Sequence, residues 1–312
     1  MRKIPAALAV LGLTALGLTG CAIPAGTEAC PRPASPESTA LDAVSVSGEL
    51  GEAPDVSVPA PFHADEVAFE DLVTGEGQAL GTEKQLAVLD LTIIAGETGE
   101  EATATQYNGD LSRVGALESL SQAVPAFGEA LQCATEGSRV LIAIPPSDIQ
   151  PEVAASLGLG EDESAVAVVD LHKVYLSRAT GSLVYNSAFG LPSVVRAPDG
   201  RPGIIVPDSD PPQERVVQTL IKGEGAEVTG EQPVFVAYTG VNWDDHTVID
   251  TTWDATPASI SFGDDAPEFA DALKGATVGS QVLVVLPPVE GEDGSAHVYA
   301  VDILGLTEAS AG

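Results

Sequence analysis

Positive charge is what this sequence most conspicuously lacks. Thirteen Lys and Arg stand against 46 Asp and Glu, for a formal charge of −33. A phosphate backbone or an anionic lipid surface would be repelled, which excludes nucleic acid as a partner. Aromatics are scarce too, with Phe 7, Tyr 5 and Trp 2 in 312 residues, so a core has to be built from Val, Leu, Ile and Ala. The apolar run at residues 6–18 is too short to span a bilayer. No Ser-His-Asp arrangement in an elbow context appears, which leaves hydrolysis unsupported. His63, His172, His246 and His297 are scattered, and Trp243-Asp244-Asp245-His246 lacks metal-site spacing, so no metal site is expected. What is abundant is Gly, at 32, and Pro, at 23, which favours loop-punctuated β structure over helical bundles.

The first twenty residues read as an export signal, with Arg2 and Lys3 ahead of the apolar run. Leu18-Thr19-Gly20-Cys21 resembles a bacterial lipobox, with Cys21 as the lipidated mature N-terminus. The expectation is an extracytoplasmic protein held on the cell membrane by lipid rather than by charge. Residues 21–47, rich in Pro, Ser, Thr and Ala, read as a flexible spacer. Cys30 and Cys133 are then left either as a disulfide, which that compartment permits, or as two free thiols.

An internal duplication organises the rest. Residues 125–146 align without a gap on residues 267–288, at an offset of 142, with twelve of 22 positions identical. Upstream, residues 72–77 match 220–225 around a Gly-Glu-Gly turn, and downstream Val169-Asp170-Leu171 matches Val301-Asp302-Ile303. Pro54-Asp55-Val56 also resembles Pro192-Ser193-Val194. The chain therefore reads as two copies of one domain, at residues 48–178 and 186–308. In each, apolar β-branched runs (86–94 and 234–241) predict a strand, and Phe and Leu four apart (Phe127 and Leu131; Phe269 and Leu273) predict one helix face. Apolar runs ending in Pro-Pro and closing runs at 165–171 and 296–304 complete the pattern. The fold class expected is α+β, each copy a curved antiparallel sheet packed on one short helix.

On these residues the second copy resembles an FKBP-type peptidyl-prolyl cis-trans isomerase. Tyr238-Thr239-Gly240 ends a strand as in that family, and Ile249-Asp250-Thr251-Thr252 stands where the family has Phe-Asp-Ser-Ser. Thr256-Pro257 with Ile260 and Phe262-Gly263 is similar to its next strand, residues 273–280 and Leu286-Pro287-Pro288 to its helix-to-strand passage, and residues 299–304 to its closing strand. The likeness covers most of residues 215–306. It implies an apolar cradle in which Phe269 is the floor, Tyr238 and Tyr299 are walls, Asp250 orients the substrate carbonyl region, and Ile249 and Ile260 complete the lining. It implies catalysis on proline-containing polypeptides with no cofactor and no metal. Each of these residues also has a plainer reading: Phe269, Ile260 and Tyr299 as core, and Asp250 as a turn residue bonding its own backbone.

The chain departs from the family's pattern in several places. Phe269 replaces a Trp, Ile249 a Phe, and Ala266-Pro267 a Val-Ile pair, while nine residues between Pro288 and Val298 stand for the family's longer flap. In the first copy Leu91-Thr92 takes the Tyr-Thr position, and no counterpart of residues 249–252 can be placed within 99–115. That copy reads as a scaffold. The alternative function is an inactive FKBP-fold binding module or holdase.

Overall fold

The computed structural model describes residues 30–36, 39–186, 189–291 and 294–308. Cys21 and the segment read as an export signal lie outside the described residues. Among those described, no helix is long and apolar enough to cross a membrane.

A short hairpin, β1 (Ser45–Ser47) and β2 (Asp55–Ser57), precedes the first sheet. That sheet is built from β3 (Ala68–Val73), β4 (Leu86–Ala95), β5 (Glu101–Ala104), β6 (Gly115–Ala116), β7 (Arg139–Ile144) and β8 (Ala165–Val174). Helices α1 (Leu117–Ala123), α2 (Ala126–Leu131) and α3 (Pro151–Leu157) interrupt it. In the second half β9 (Ser182–Leu183) leads to a hairpin of β10 (Ser193–Arg196) and β11 (Pro202–Ile205). The second sheet then follows with β12 (Val216–Lys222), β13 (Val234–Asn242), β14 (Val248–Thr251), β15 (Ala258–Ile260), β16 (Gln281–Leu286) and β17 (His297–Leu306).

The strand orders are β3-β7-β8-β4-β5 and β12-β16-β17-β13-β14, with β6 on β4 and β15 on β13. Strand for strand this is one topology used twice, and the second sheet carries β9 as an extra edge. All pairings are antiparallel.

The helical content departs from the expected single short helix per copy. Among the described residues the first copy carries three α-helices, whereas the second has only a 3₁₀ turn at Ala270–Leu273. There Pro267 opens the segment and Gly275, at φ 82°, closes it, which leaves room for one turn.

The closing strands are apolar at consecutive positions because both of their faces are covered. In β8, Ala165, Ala167, Val169 and Leu171 face Phe127 and Leu131, whereas Val166 and Val168 pack with Leu41, Val58 and Phe62. In β17, Tyr299, Val301 and Ile303 face Phe269 and Leu273, whereas Val298 packs with Val206 and Trp243. Alternate side chains of a strand point to opposite sides, so each strand feeds two cores.

The duplicated glycines have a physical reason. A Cβ at Gly75 would meet Glu136 O at 2.1 Å, and one at Gly223 would meet Val278 O at 2.1 Å. The Gly75 and Gly223 amides donate to the Ser138 and Ser280 hydroxyls, both at 2.9 Å. Thr135 and Thr277 donate to the Gly75 and Gly223 carbonyls at 2.7 and 2.6 Å. These are locks between backbone segments rather than phosphate cradles.

Two expectations are corrected at the N-terminal side. The described part of the expected spacer is docked on the fold. Cys30 is disulfide-bonded to Cys133 with Cα atoms 5.4 Å apart, Arg32 pairs with Asp71 at 2.7 Å, and Leu41 is buried. A cation held over the Phe69 ring at 4.6 Å and a covalent bond outweigh the freedom that the composition suggests. Pro54-Asp55-Val56 opens the second strand of its hairpin, while Pro192-Ser193-Val194 opens the first strand of the other, so this stretch of the apparent repeat is not structurally equivalent.

Candidate functional site

The second sheet gathers most of the expected site on one face. Tyr238 on β13, Tyr299 on β17, Phe269 at the start of the 3₁₀ turn and Ile260 on β15 share one core cluster. The Phe269 ring centroid lies 4.9 Å from that of Tyr238 and 4.7 Å from that of Tyr299, while the two tyrosines are 6.3 Å apart. Asp250 reaches in from β14, which pairs with β13 at Gly240. Its Oδ2 accepts the Tyr238 hydroxyl at 2.5 Å, while its Oδ1 accepts the Thr251 amide at 2.8 Å. Asp250 thus bonds neighbouring backbone through one oxygen and the Tyr238 phenol through the other. Burial first, and then the neighbouring Asp250 carboxylate, push the Tyr238 phenol above its ordinary range. It therefore stays an O–H donor throughout neutral pH.

Two expected residues sit otherwise than a cradle requires. Ile249 is 42% exposed, neighbours Asp250 on the opposite side of β14 and stays outside the aromatic cluster. Phe269 is 1% exposed and is covered by both tyrosine rings, so it presents no bare floor.

Glu268 and His297 join the site without having been expected there. Glu268 Oε1 accepts the Tyr299 hydroxyl at 2.7 Å and meets His297 Nδ1 at 2.5 Å. On the far side of that ring, Nε2 lies 3.2 Å from the Ser295 hydroxyl, which accepts the Asn242 side-chain amide at 2.7 Å. The His297 ring is thus held between Glu268 and Ser295. It ties the start of β17 to the segment before the 3₁₀ turn. The only sequence hint was a histidine set aside as scattered. Among the described residues no group of acidic, Cys and His side chains is arranged to hold a metal.

No family profile matches the chain. A curated protein from Corynebacterium glutamicum named "Probable FK506-binding protein" is 27% identical over 114 residues, covering 33% of this chain and 97% of that protein. Over that stretch the chain is similar to an FKBP-type protein. Among solved structures, the three FKBP domains of wheat FKBP73 align over 78% of this chain and 95% of theirs, with 14% identity and a TM-score of 0.32. FkpA from Escherichia coli aligns over 39% of this chain and 54% of its own, with 22% identity and a TM-score of 0.28.

The first copy does contain a counterpart of residues 249–252, contrary to expectation. Strand β5 pairs with β4 as β14 pairs with β13. The Leu91 amide donates to the Thr105 hydroxyl at 3.0 Å, just as the Tyr238 amide donates to that of Thr252 at 2.9 Å. Counting back from those threonines puts Thr103 at the Asp250 position and Leu91 at the Tyr238 position. Acid and phenol are therefore lost together, while Phe127 keeps the place of Phe269.

Proposed function

We propose that this FKBP-type chain is a peptidyl-prolyl cis-trans isomerase whose working site is the Tyr238, Asp250, Phe269 and Tyr299 cluster of the second copy, with Ile260 behind it. The observation that carries the reading is the Tyr238–Asp250 hydrogen bond at the edge of an aromatic cluster. Rotation about an X-Pro bond faces a barrier of about 18–20 kcal/mol because amide resonance has to be broken, and no covalent bond changes partner. The twisted amide is less dipolar than the planar one, so an apolar surface that takes the proline ring favours the twisted state. A thousandfold acceleration requires about 4 kcal/mol of such preference. In this reading Tyr238 and Tyr299 receive the ring, Asp250 fixes the phenol and faces the substrate carbonyl region, and Ile249 stands at the exposed rim. The substrates are proline-containing polypeptides, and neither cofactor nor metal has a role.

The same proposal places the protein outside the cytoplasm, anchored through lipidated Cys21 and assisting the folding of exported proteins. The Cys30–Cys133 disulfide supports an oxidising compartment. A second reading, a binding module or holdase without turnover, is favoured by one observation: Phe269 is covered. Cis/trans exchange of an X-Pro peptide, followed by NMR with wild type beside Tyr238→Ala and Asp250→Ala, separates the two. Acceleration by wild type that the variants lose supports the isomerase. Shift changes at the site with exchange no faster than in buffer leave only the binding module.

A further inference from the structure

A cleft of about 550 Å³, within the usual range of ligand sites, lies between the two copies and away from Tyr238. Tyr175, Leu304 and Val278 give it an apolar floor. The Tyr175 ring is fixed in place, since its centroid is 4.8 Å from that of Phe235 and a Cβ at Gly305 would come within 2.3 Å of its Cδ1. Tyr175 is 3% exposed, and its buried hydroxyl has no hydrogen-bond partner among the described residues. A buried donor left unpaired calls for an acceptor. Burial, then Glu308 and Glu136, push the phenol up to about 12, so it remains protonated.

The rim supplies a second, independent observation. Glu136, Glu224 and Glu308 stand against a single cation, Lys173, whose Nζ lies 3.7 Å from Glu136 and 3.9 Å from Glu308. Glu224 has no ion pair among the described residues. An apolar floor, an unpaired O–H and a surplus of carboxylates match an extended peptide whose main-chain carbonyl accepts from Tyr175 while a Lys or Arg side chain meets Glu224.

We propose that the cleft between the copies binds a basic, extended polypeptide segment. This rests on reading the chain as an isomerase of polypeptides, and it assigns the place where a client is held apart from the bond being turned. Because both copies supply walls, it also gives the first copy a use that survives the loss of its own Tyr–Asp pair.

The test uses the whole chain and a proline-free peptide of alternating Lys and Ala, which asks nothing of the isomerase site. Amide shifts of Leu306 and Thr307 should move on titration, and an otherwise identical Glu–Ala peptide should leave them still. Tyr175→Phe should weaken binding about fivefold, the effect of one hydrogen bond, while leaving the melting temperature equal or higher because an unpaired hydroxyl is gone. Glu224→Gln should weaken binding and reduce its salt dependence. Overturning results are cleft amides unmoved at saturating Lys–Ala peptide, or a Tyr175→Phe protein that binds as wild type, in which case water satisfies the hydroxyl. X-Pro exchange is measured separately, so either reading can fail while the other stands.

Discussion

The Tyr238 hydroxyl donates to Asp250 across the β13–β14 pairing, and these two residues hold each other at the edge of the aromatic cluster. The carboxylate is solvent-exposed whereas the phenol is buried, so the bond positions a side chain rather than supporting the fold. If the pair works as a unit, Tyr238→Phe and Asp250→Asn should each slow catalysed X-Pro exchange about tenfold, the loss of one charge-assisted hydrogen bond. The double variant should be no slower than the worse single one. Exchange spectroscopy on the four proteins checks this, and additive losses would show that the two residues act independently.

Phe269 decides between floor and core. It is the largest fully buried side chain of the second copy, and two rings already pack on it. Phe269→Ala should cost about 3–5 kcal/mol of that copy's stability, read from its urea midpoint. Phe269→Leu should cost much less. If Phe269 also receives the proline ring, Phe269→Leu, assayed where it is fully folded, should lose exchange activity out of proportion to its stability. Unchanged activity would make it a core residue only.

The duplication was legible in the sequence because it sits in the residues that lock backbone to backbone. Thr135, Ser138 and Gly75 recur as Thr277, Ser280 and Gly223, and the same strand order follows from the same locks. Tyr238, Asp250, Phe269 and Tyr299 were legible through family likeness, since nothing in their spacing brings four separate elements together. Glu268 and His297 were not, because they are 29 positions apart and meet only once β17 lies beside the 3₁₀ turn. The counterpart of residues 249–252 is not legible, since Thr105 alone of that motif is retained. Tyr175 and Trp253 carry no local sign of the contact between copies that buries the first and partly covers the second. Helical content is not legible either, since Phe and Leu four apart fit either a full helix or a single turn.

The disulfide closes a long loop, with Cys30 and Cys133 separated by 103 in sequence. A crosslink of that span restricts the unfolded chain, so Cys133→Ser should lower the first copy's stability by about 4–5 kcal/mol. The residues around Arg32 should exchange their amide hydrogens faster as well, since non-covalent contacts alone then hold them: the Asp71 pair, the Gln132 carbonyl, the Phe69 ring and the Ser35–Phe69 bond. The second copy's unfolding should not move. Calorimetry of wild type with and without reductant, beside the variant, checks it; equal curves would mean the tract stays docked without the bond.

Asp170 and Asp302 occupy one position of the repeat with different partners. Arg139 meets Asp170 through two nitrogens at 2.6 and 2.7 Å. Asp302 has Gln281 in place of that cation, at 2.6 Å, with the Ala179 amide at 2.7 Å and Arg196 more distant at 3.3 Å. Burial outweighs the Ala179 amide, Gln281 and the more distant Arg196, and so holds the Asp302 carboxyl above its usual value. The folded state then binds this proton more tightly than the unfolded chain, whose carboxyl titrates near about 3.9. Stability owed to this group falls as pH rises from there to the folded value, and is level above it. Asp302→Asn does not titrate and keeps an acceptor, and Gln281 can turn to accept from its new amide. Wild type should therefore gain stability relative to Asp302→Asn as pH drops from 7 toward 4, measured as the difference in urea midpoints of the second copy. A difference that stays flat, or that shrinks in wild type's disfavour toward acid, would show that Arg196 already compensates the buried charge in full.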